Sequence, residues 1–226
     1  MKFLVAAAWE PELVRLRERV AREMPPGVQL VFEPLGVGLV EAAAAMTRCI
    51  MRHEPEVSLL IGTCGAFAGG PFAGGRLAAG AVVVGRRAAI VDASVVSGLA
   101  VLPPPMPAEA AFDPAIVEVL VSAGAKSVQI ANTLGITVDD ALAARLAGSG
   151  DVEHLEACAF ARACASASPP VPCAALLGVA NMVGAAGRAE WLANHERASA
   201  AAADVAFDVL AAIAESVRVR TSTTAR

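Results

Sequence analysis

An α/β fold in a single domain is what this sequence predicts, on three observations. Apolar runs of strand length alternate with alanine-rich helical stretches along the chain, the order that builds a mostly parallel sheet with helices packed on it. At 226 residues the chain is long enough for one large domain with a well-buried core. No linker-like stretch divides it, so residues 1–226 are read as one unit.

The first strand is KFLVAAAW, and it meets Glu10, Pro11 and Glu12 at once. A proline after a strand ends ladder pairing and fixes the backbone, which places the two acids on a rigid turn at the strand's carboxyl end. In open α/β sheets that end is where ligands bind. A helix over PELVRLRERVAREM, a strand over VQLVFEPLG, a helix over VEAAAAMTRCIMRHE and a strand over SLLIGTCG follow. Glycine-rich turns stand after the second and third strands, at Gly36–Gly38 and Gly62–Gly70. Glycines there let backbone amides approach a ligand. Glu41 occupies the place of the third glycine of a dinucleotide fingerprint, and no P-loop is present. Plain strand-to-helix turns and binding loops both fit that spacing.

Further strands are expected in GAVVVGRRAAIVDASVV, SVQIANTLGITV and PCAALLGVAN. The proline-rich VLPPPMPAEAAFDP is a surface loop and a candidate lid, because its prolines lack donors and restrict their neighbours. DVEHLEACAFARAC reads as a helix with Glu153 and Glu156 three residues apart. Glu153 is read as a solvated acid, whereas Glu156 lies among Leu155, Cys158, Ala159 and Phe160, where a charge is costly unless something binds it. Asn181 sits where the apolar run PCAALLGVA gives way to a loop, a turn asparagine or a group at a ligand-facing strand end. One alanine-rich helix is expected from Asn194 to Val217, and TSTTAR, residues 221–226, is a polar tail expected to fray.

Composition removes several function classes. A net charge of −4 and two lysines, Lys2 and Lys126, supply no basic stripe for nucleic acid. The apolar residues are spread out with no uninterrupted span of membrane length, and the short apolar start meets Glu10 too soon for a signal peptide. A cytoplasmic protein is expected. Five cysteines without a C-x-x-C pair suggest buried thiols, and the scattered His53, His154 and His195 suggest no metal.

Taken in order, AAAWEPE, GVG, GTCGAF, TVDD, VEHLEACAFA and GVANMVGAAGRAEW resemble the purine nucleoside phosphorylase superfamily over nearly the whole chain. The likeness is greatest to its nucleosidase branch, which includes methylthioadenosine/S-adenosylhomocysteine nucleosidases and futalosine hydrolases. The GAF turn, TVDD and the N-x-V-G-x-x-x-R-x-x-W ending are most similar to the futalosine hydrolases. The resemblance implies a three-layer sandwich around a mixed, mostly parallel sheet. It implies that Glu12 activates water and that Asn181 contacts the purine N7. Thr63 and Gly65 then face the ribose, Glu156 holds its hydroxyls beside Leu155, and Arg188 is either a surface residue or a partner for an acidic 5′ tail. The chain departs from the pattern at Ala180-Asn181, where methylthioadenosine nucleosidases have Ser-Asp. It departs again at His154-Leu155-Glu156-Ala157, where they have E-M-E-G.

Leu60 stands where hexameric phosphorylases carry an arginine. A phosphate nucleophile needs cations or amide donors, so water is the better nucleophile and Glu12 its base. The resemblance thus implies a nucleosidase that hydrolyses the N-glycosidic bond of a 5′-modified purine nucleoside. Futalosine, cleaved to hypoxanthine in menaquinone biosynthesis, is the leading substrate. Methylthioadenosine or S-adenosylhomocysteine cleavage, phosphorolysis, and a non-catalytic nucleoside-binding homologue are the alternatives. No cofactor or metal is expected, and neither is a nucleic-acid or membrane partner; a homodimer or higher homo-oligomer is.

Overall fold

The computed structural model describes residues 1–70 and 77–224. Its strands are β1 (Lys2–Ala7), β2 (Gln29–Pro34), β3 (Val57–Ala66), β4 (Val82–Ile90), β5 (Glu109–Ala111), β6 (Lys126–Asn132), β7 (Val152–His154) and β8 (Cys173–Met182). Its helices are α1 (Pro11–Arg22), α2 (Leu39–His53), α3 (Ala93–Val96), α4 (Pro114–Ser122), α5 (Asp140–Leu146), α6 (Ala157–Ser166) and α7 (Gly187–Thr224).

The sheet is mixed and mostly parallel. β1 lies between β2 and β3, parallel to both, and its run from Phe3 to Ala7 is fully buried. A parallel strand covered on both faces has no polar side, hence the unbroken apolar run. β3 continues parallel to β8, β8 pairs antiparallel with β4, β4 runs parallel to β6, and β6 runs parallel to β7. The last two residues of β3 then meet β7 antiparallel, so β3, β8, β4, β6 and β7 form a closed circuit. Helices α1, α4 and α7 cover one side and α2 and α6 the other, completing three layers.

Alanine content is explained by the packing of α7 on β8. Ala198, Ala202, Ala203 and Ala206 are buried along this helix. A Cβ placed on Gly178 of β8 would lie 2.0 Å from the Ala198 carbonyl oxygen, so the strand and helix backbones all but touch. Glycine on the strand and alanine on the helix are what that spacing admits.

Several sequence expectations change. The helix expected over residues 151–164 is a strand, β7, followed by a turn and then α6, so Glu153 and Glu156 do not share a helix. Glu12 lies in the first turn of α1, with Pro11 beside it, and not on a separate turn. The strand expected to run through Val138 ends at Asn132. The proline-rich segment is irregular as far as β5, which pairs with β4. The final helix begins at Gly187 and runs through Thr224, where a frayed tail was expected; the last two residues of that expectation lie outside the described ones. All five cysteines are free and buried. Among the described residues no helix is long and apolar enough to cross a membrane.

Candidate active site

A cavity of about 470 Å³ opens at the carboxyl ends of β1, β3 and β8. Glu12, Thr63, Gly65, Leu155, Glu156, Asn181 and Arg188 all line it, whereas Glu10, the other acid of the first turn, does not. None of residues 101–114 does, which removes the expected lid from its wall.

Glu12 enters from the first turn of α1 and is 7% exposed. Its Oε1 accepts from the Thr63 amide at 2.9 Å and from the Thr63 hydroxyl at 3.0 Å. Room for this comes from Gly62, where a Cβ would stand 2.9 Å from both carboxylate oxygens. Burial pushes the Glu12 carboxyl up to about 7; the Thr63 hydroxyl opposes the rise and the charge of Glu156 adds to it. A carboxyl poised there is half ionised near neutral pH, where a general base is most effective.

Glu156 stands at the start of α6 and is 3% exposed. Its Oε1 accepts the Gly38 amide at 2.7 Å, at the start of α2. The GVG turn therefore presents its last amide to this carboxylate, and Val37 to the cavity. The glycine is needed, since Gly38 has a φ of +95°. Glu156 Oε2 lies 3.1 Å from His154 Nδ1, but that nitrogen accepts the amides of Glu156 and Ala157, each at 3.1 Å. Burial lowers the His154 pKa, against the opposing pull of Glu156, so the ring favours its neutral form and the pair is not an ion pair.

Asn181, near the end of β8, donates through Nδ2 to the Met182 carbonyl at 2.9 Å. Its amide group packs on Gly65, where a Cβ would lie 2.9 Å from Nδ2. With one amide hydrogen committed, Asn181 retains one donor and its carbonyl oxygen for a ligand. Glu190 and Asn194, on the first turns of α7, hold this strand end through the Met182 amide at 2.7 Å and the Ala180 carbonyl at 3.1 Å. Arg188 is exposed and lies over the Trp191 ring, 5.1 Å from its centroid.

Other groups escaped sequence reasoning. Trp191 stacks on His195 with centroids 4.3 Å apart, Trp9 tilts against both, and all three line the cavity. Trp191 and His195 share one face of α7 four residues apart, a spacing visible in the sequence; Trp9 joins them only through the fold. Asn132, fully buried at the end of β6, donates to the Leu155 carbonyl at 2.9 Å and accepts the Cys158 amide at 2.8 Å, fixing the turn that carries Glu156. Glu153 is not solvated: its carboxylate binds the Thr137 amide and hydroxyl at 3.2 and 2.5 Å, anchoring the loop that brings Ile136 to the cavity wall.

No family model matches the chain. It is 28% identical to the futalosine hydrolase of Thermus thermophilus, over 73% of its own length and 75% of that protein's. The native futalosine hydrolase of Helicobacter pylori superposes with a TM-score of 0.77 at 14% identity, covering 97% of this chain and 98% of that one. A variant of the H. pylori 5′-methylthioadenosine/S-adenosylhomocysteine nucleosidase, with 5′-methylthioadenosine in its active site, gives 0.77 at 15% identity, covering 90% and 95%. The fold is that of these nucleosidases.

Proposed function

We propose that this chain is an N-glycosidase that hydrolyses a purine nucleoside bearing a 5′ substituent, with futalosine as substrate and hypoxanthine as the released base. The observation that carries the reading is the pair of buried acids in one cavity, one of them poised near neutral pH. Likeness to a futalosine hydrolase in sequence, and to nucleosidases in fold, supports it.

Breaking a ribosyl N-glycosidic bond builds positive charge on the sugar and negative charge on the departing base. Glu156 accepts from the ribose hydroxyls, and its charge favours the developing cation. Both Thr63 hydrogens converge on Glu12 Oε1, which leaves Oε2 with the capacity to take a proton from water. The water's oxygen attacks the anomeric carbon as the bond to the base breaks. The base leaves as an anion that takes a proton from solvent to become hypoxanthine, and Glu12 returns its proton to solvent. Asn181 has one amide hydrogen left for N7 or O6 of the base, and Arg188, on the cavity wall, pairs with an acidic 5′ group. Leu60 is buried in the sheet, so no cation comes from that position to hold a phosphate. In keeping with the family resemblance, the protein acts in the cytoplasm, in menaquinone biosynthesis, as a homo-oligomer.

The test is incubation with 5′-modified inosine-type and adenosine-type nucleosides across a phosphate titration, separating bases and sugars. Free sugar and hypoxanthine, at a rate independent of phosphate, are expected, with the inosine-type compound preferred. Ribose 1-phosphate products would make the enzyme a phosphorylase. Preference for the adenine compound would transfer the reading to methylthioadenosine-type substrates, and absence of base release from all of them would leave a nucleoside-binding protein.

A further inference from the structure

We propose that Trp191 is a positioning residue for Glu12, acting through the Thr63 hydroxyl. The inference rests on the reading of Glu12 as the base that activates water, and it adds a residue from the opposite end of the chain. The Trp191 indole Nε1 donates to Thr63 Oγ1 at 3.1 Å, and that hydroxyl lies 3.0 Å from Glu12 Oε1.

A threonine hydroxyl has one hydrogen and rotates to suit its neighbours. With the indole N–H directed at its oxygen, the hydroxyl is held as donor to Glu12. Indole nitrogen cannot accept, so the direction of the chain is fixed: indole to hydroxyl, hydroxyl to carboxylate. The carboxylate is then held by Oε1, while Oε2 stays available for a water proton. The ring itself has little freedom, because His195 stacks on it at 4.3 Å and 15°, Trp9 packs against it with centroids 6.1 Å apart, and Arg188 lies over it. Rigid aromatic packing at the cavity mouth is thereby converted into orientation of the acid. The same donors stabilise the ionised carboxylate, so losing the indole hydrogen raises the pH at which Glu12 ionises.

The experiment follows Glu12 directly, by the ¹³C resonance of its side-chain carboxyl, assigned by its loss in Glu12→Gln, beside the pH profile of turnover. Trp191→Phe keeps a ring and removes the donor. Its carboxyl midpoint and the acid limb of kcat are expected to rise together by about half to one pH unit. kcat at pH 7 should fall roughly three- to tenfold, with a smaller change in KM. Thr63→Val should raise the midpoint at least as far, and Thr63→Ser, which keeps the hydroxyl, should restore it. In the unaltered protein the Trp191 indole ¹⁵N–¹H resonance should titrate with Glu12 and stop doing so in Thr63→Val, a readout that needs no change at Trp191. An unmoved carboxyl midpoint in Trp191→Phe, or an indole resonance flat through the Glu12 transition, overturns the proposal. If the unaltered protein releases no base from any nucleoside, the function assigned above fails while the two resonances still decide whether Trp191 governs Glu12.

Discussion

Glu12 and Glu156 are the same side chain given two roles by their neighbours. Glu12 sits over the Gly62 backbone with both hydrogens of Thr63 on one oxygen, and burial holds it close to neutral ionisation. Glu156 takes the Gly38 amide at the head of α2, where the helix dipole favours a fixed negative charge. In Glu156→Gln the carboxamide oxygen stays on that amide, and a donor replaces the second carboxylate oxygen. Activity on ribosides is therefore expected to fall about 10- to 100-fold, the worth of a charged hydrogen bond. 2′-Deoxyribosides should lose less, which the ratio of kcat/KM values for matched substrates checks. The acid itself was legible in the sequence, because a glutamate among Leu155, Cys158, Ala159 and Phe160 demands a partner. Its partner was not, since Gly38 lies 118 residues away and only the packing of α2 on α6 joins them.

At the level of elements, local pattern located most strands and helices and failed where pairing decides. Residues 152–154 carry no strand signature, yet they are captured between the ends of β3 and β6, and that capture turns Glu153 toward Thr137. Among the described glycines, Gly178 at the α7–β8 seam is the one a Cβ would crowd most. Because the obstructing atom opposite Gly178 is a backbone oxygen at 2.0 Å, Gly178→Ala must push the helix off the strand. A loss of about 3 kcal/mol or more is expected, at the upper end of overpacking costs, read as a lower urea midpoint at unchanged slope. Gly148→Ala, with nothing within 4 Å, should leave the midpoint near its starting value. The sequence showed that glycine as one letter inside an apolar strand, without showing that Ala198, twenty residues later on α7, would rest on it.

For the whole molecule, the poised acid has a thermodynamic cost. A carboxyl that ionises near 7 when folded and near 4.5 when unfolded binds its proton more tightly in the native state. Its contribution to stability is therefore full below about pH 4.5, declines as pH rises to about 7, and is lost above that. Glu12→Gln, which cannot ionise, should be more stable than the parent at pH 8, by up to about 3 kcal/mol, and close to it at pH 5. Paired denaturation curves at the two pH values check this, and equal differences at both would show that Glu12 is not the group responsible. The mostly parallel sheet with helices packed on it was readable from the alternation of apolar runs and helices, and its three layers from the family resemblance. The closure of five strands into a circuit was not, because it depends on β7 and on the antiparallel β4–β8 pairing, neither of which leaves a local pattern.

That closure also governs how the protein behaves at high concentration. A strand with one side unpaired is a template on which another chain can add. Every strand in the circuit has neighbours on both sides, and β1 lies between β2 and β3, so among the described residues the unpaired edges belong to β2 and β5. β5 is three residues long, and β2 ends in Glu33 and Pro34, a charge and a residue without an amide hydrogen. The ring of strands that frames the cavity thus gives β3 and β8 a partner strand on each side, and the native state is poorly suited to seeding edge-to-edge association through them.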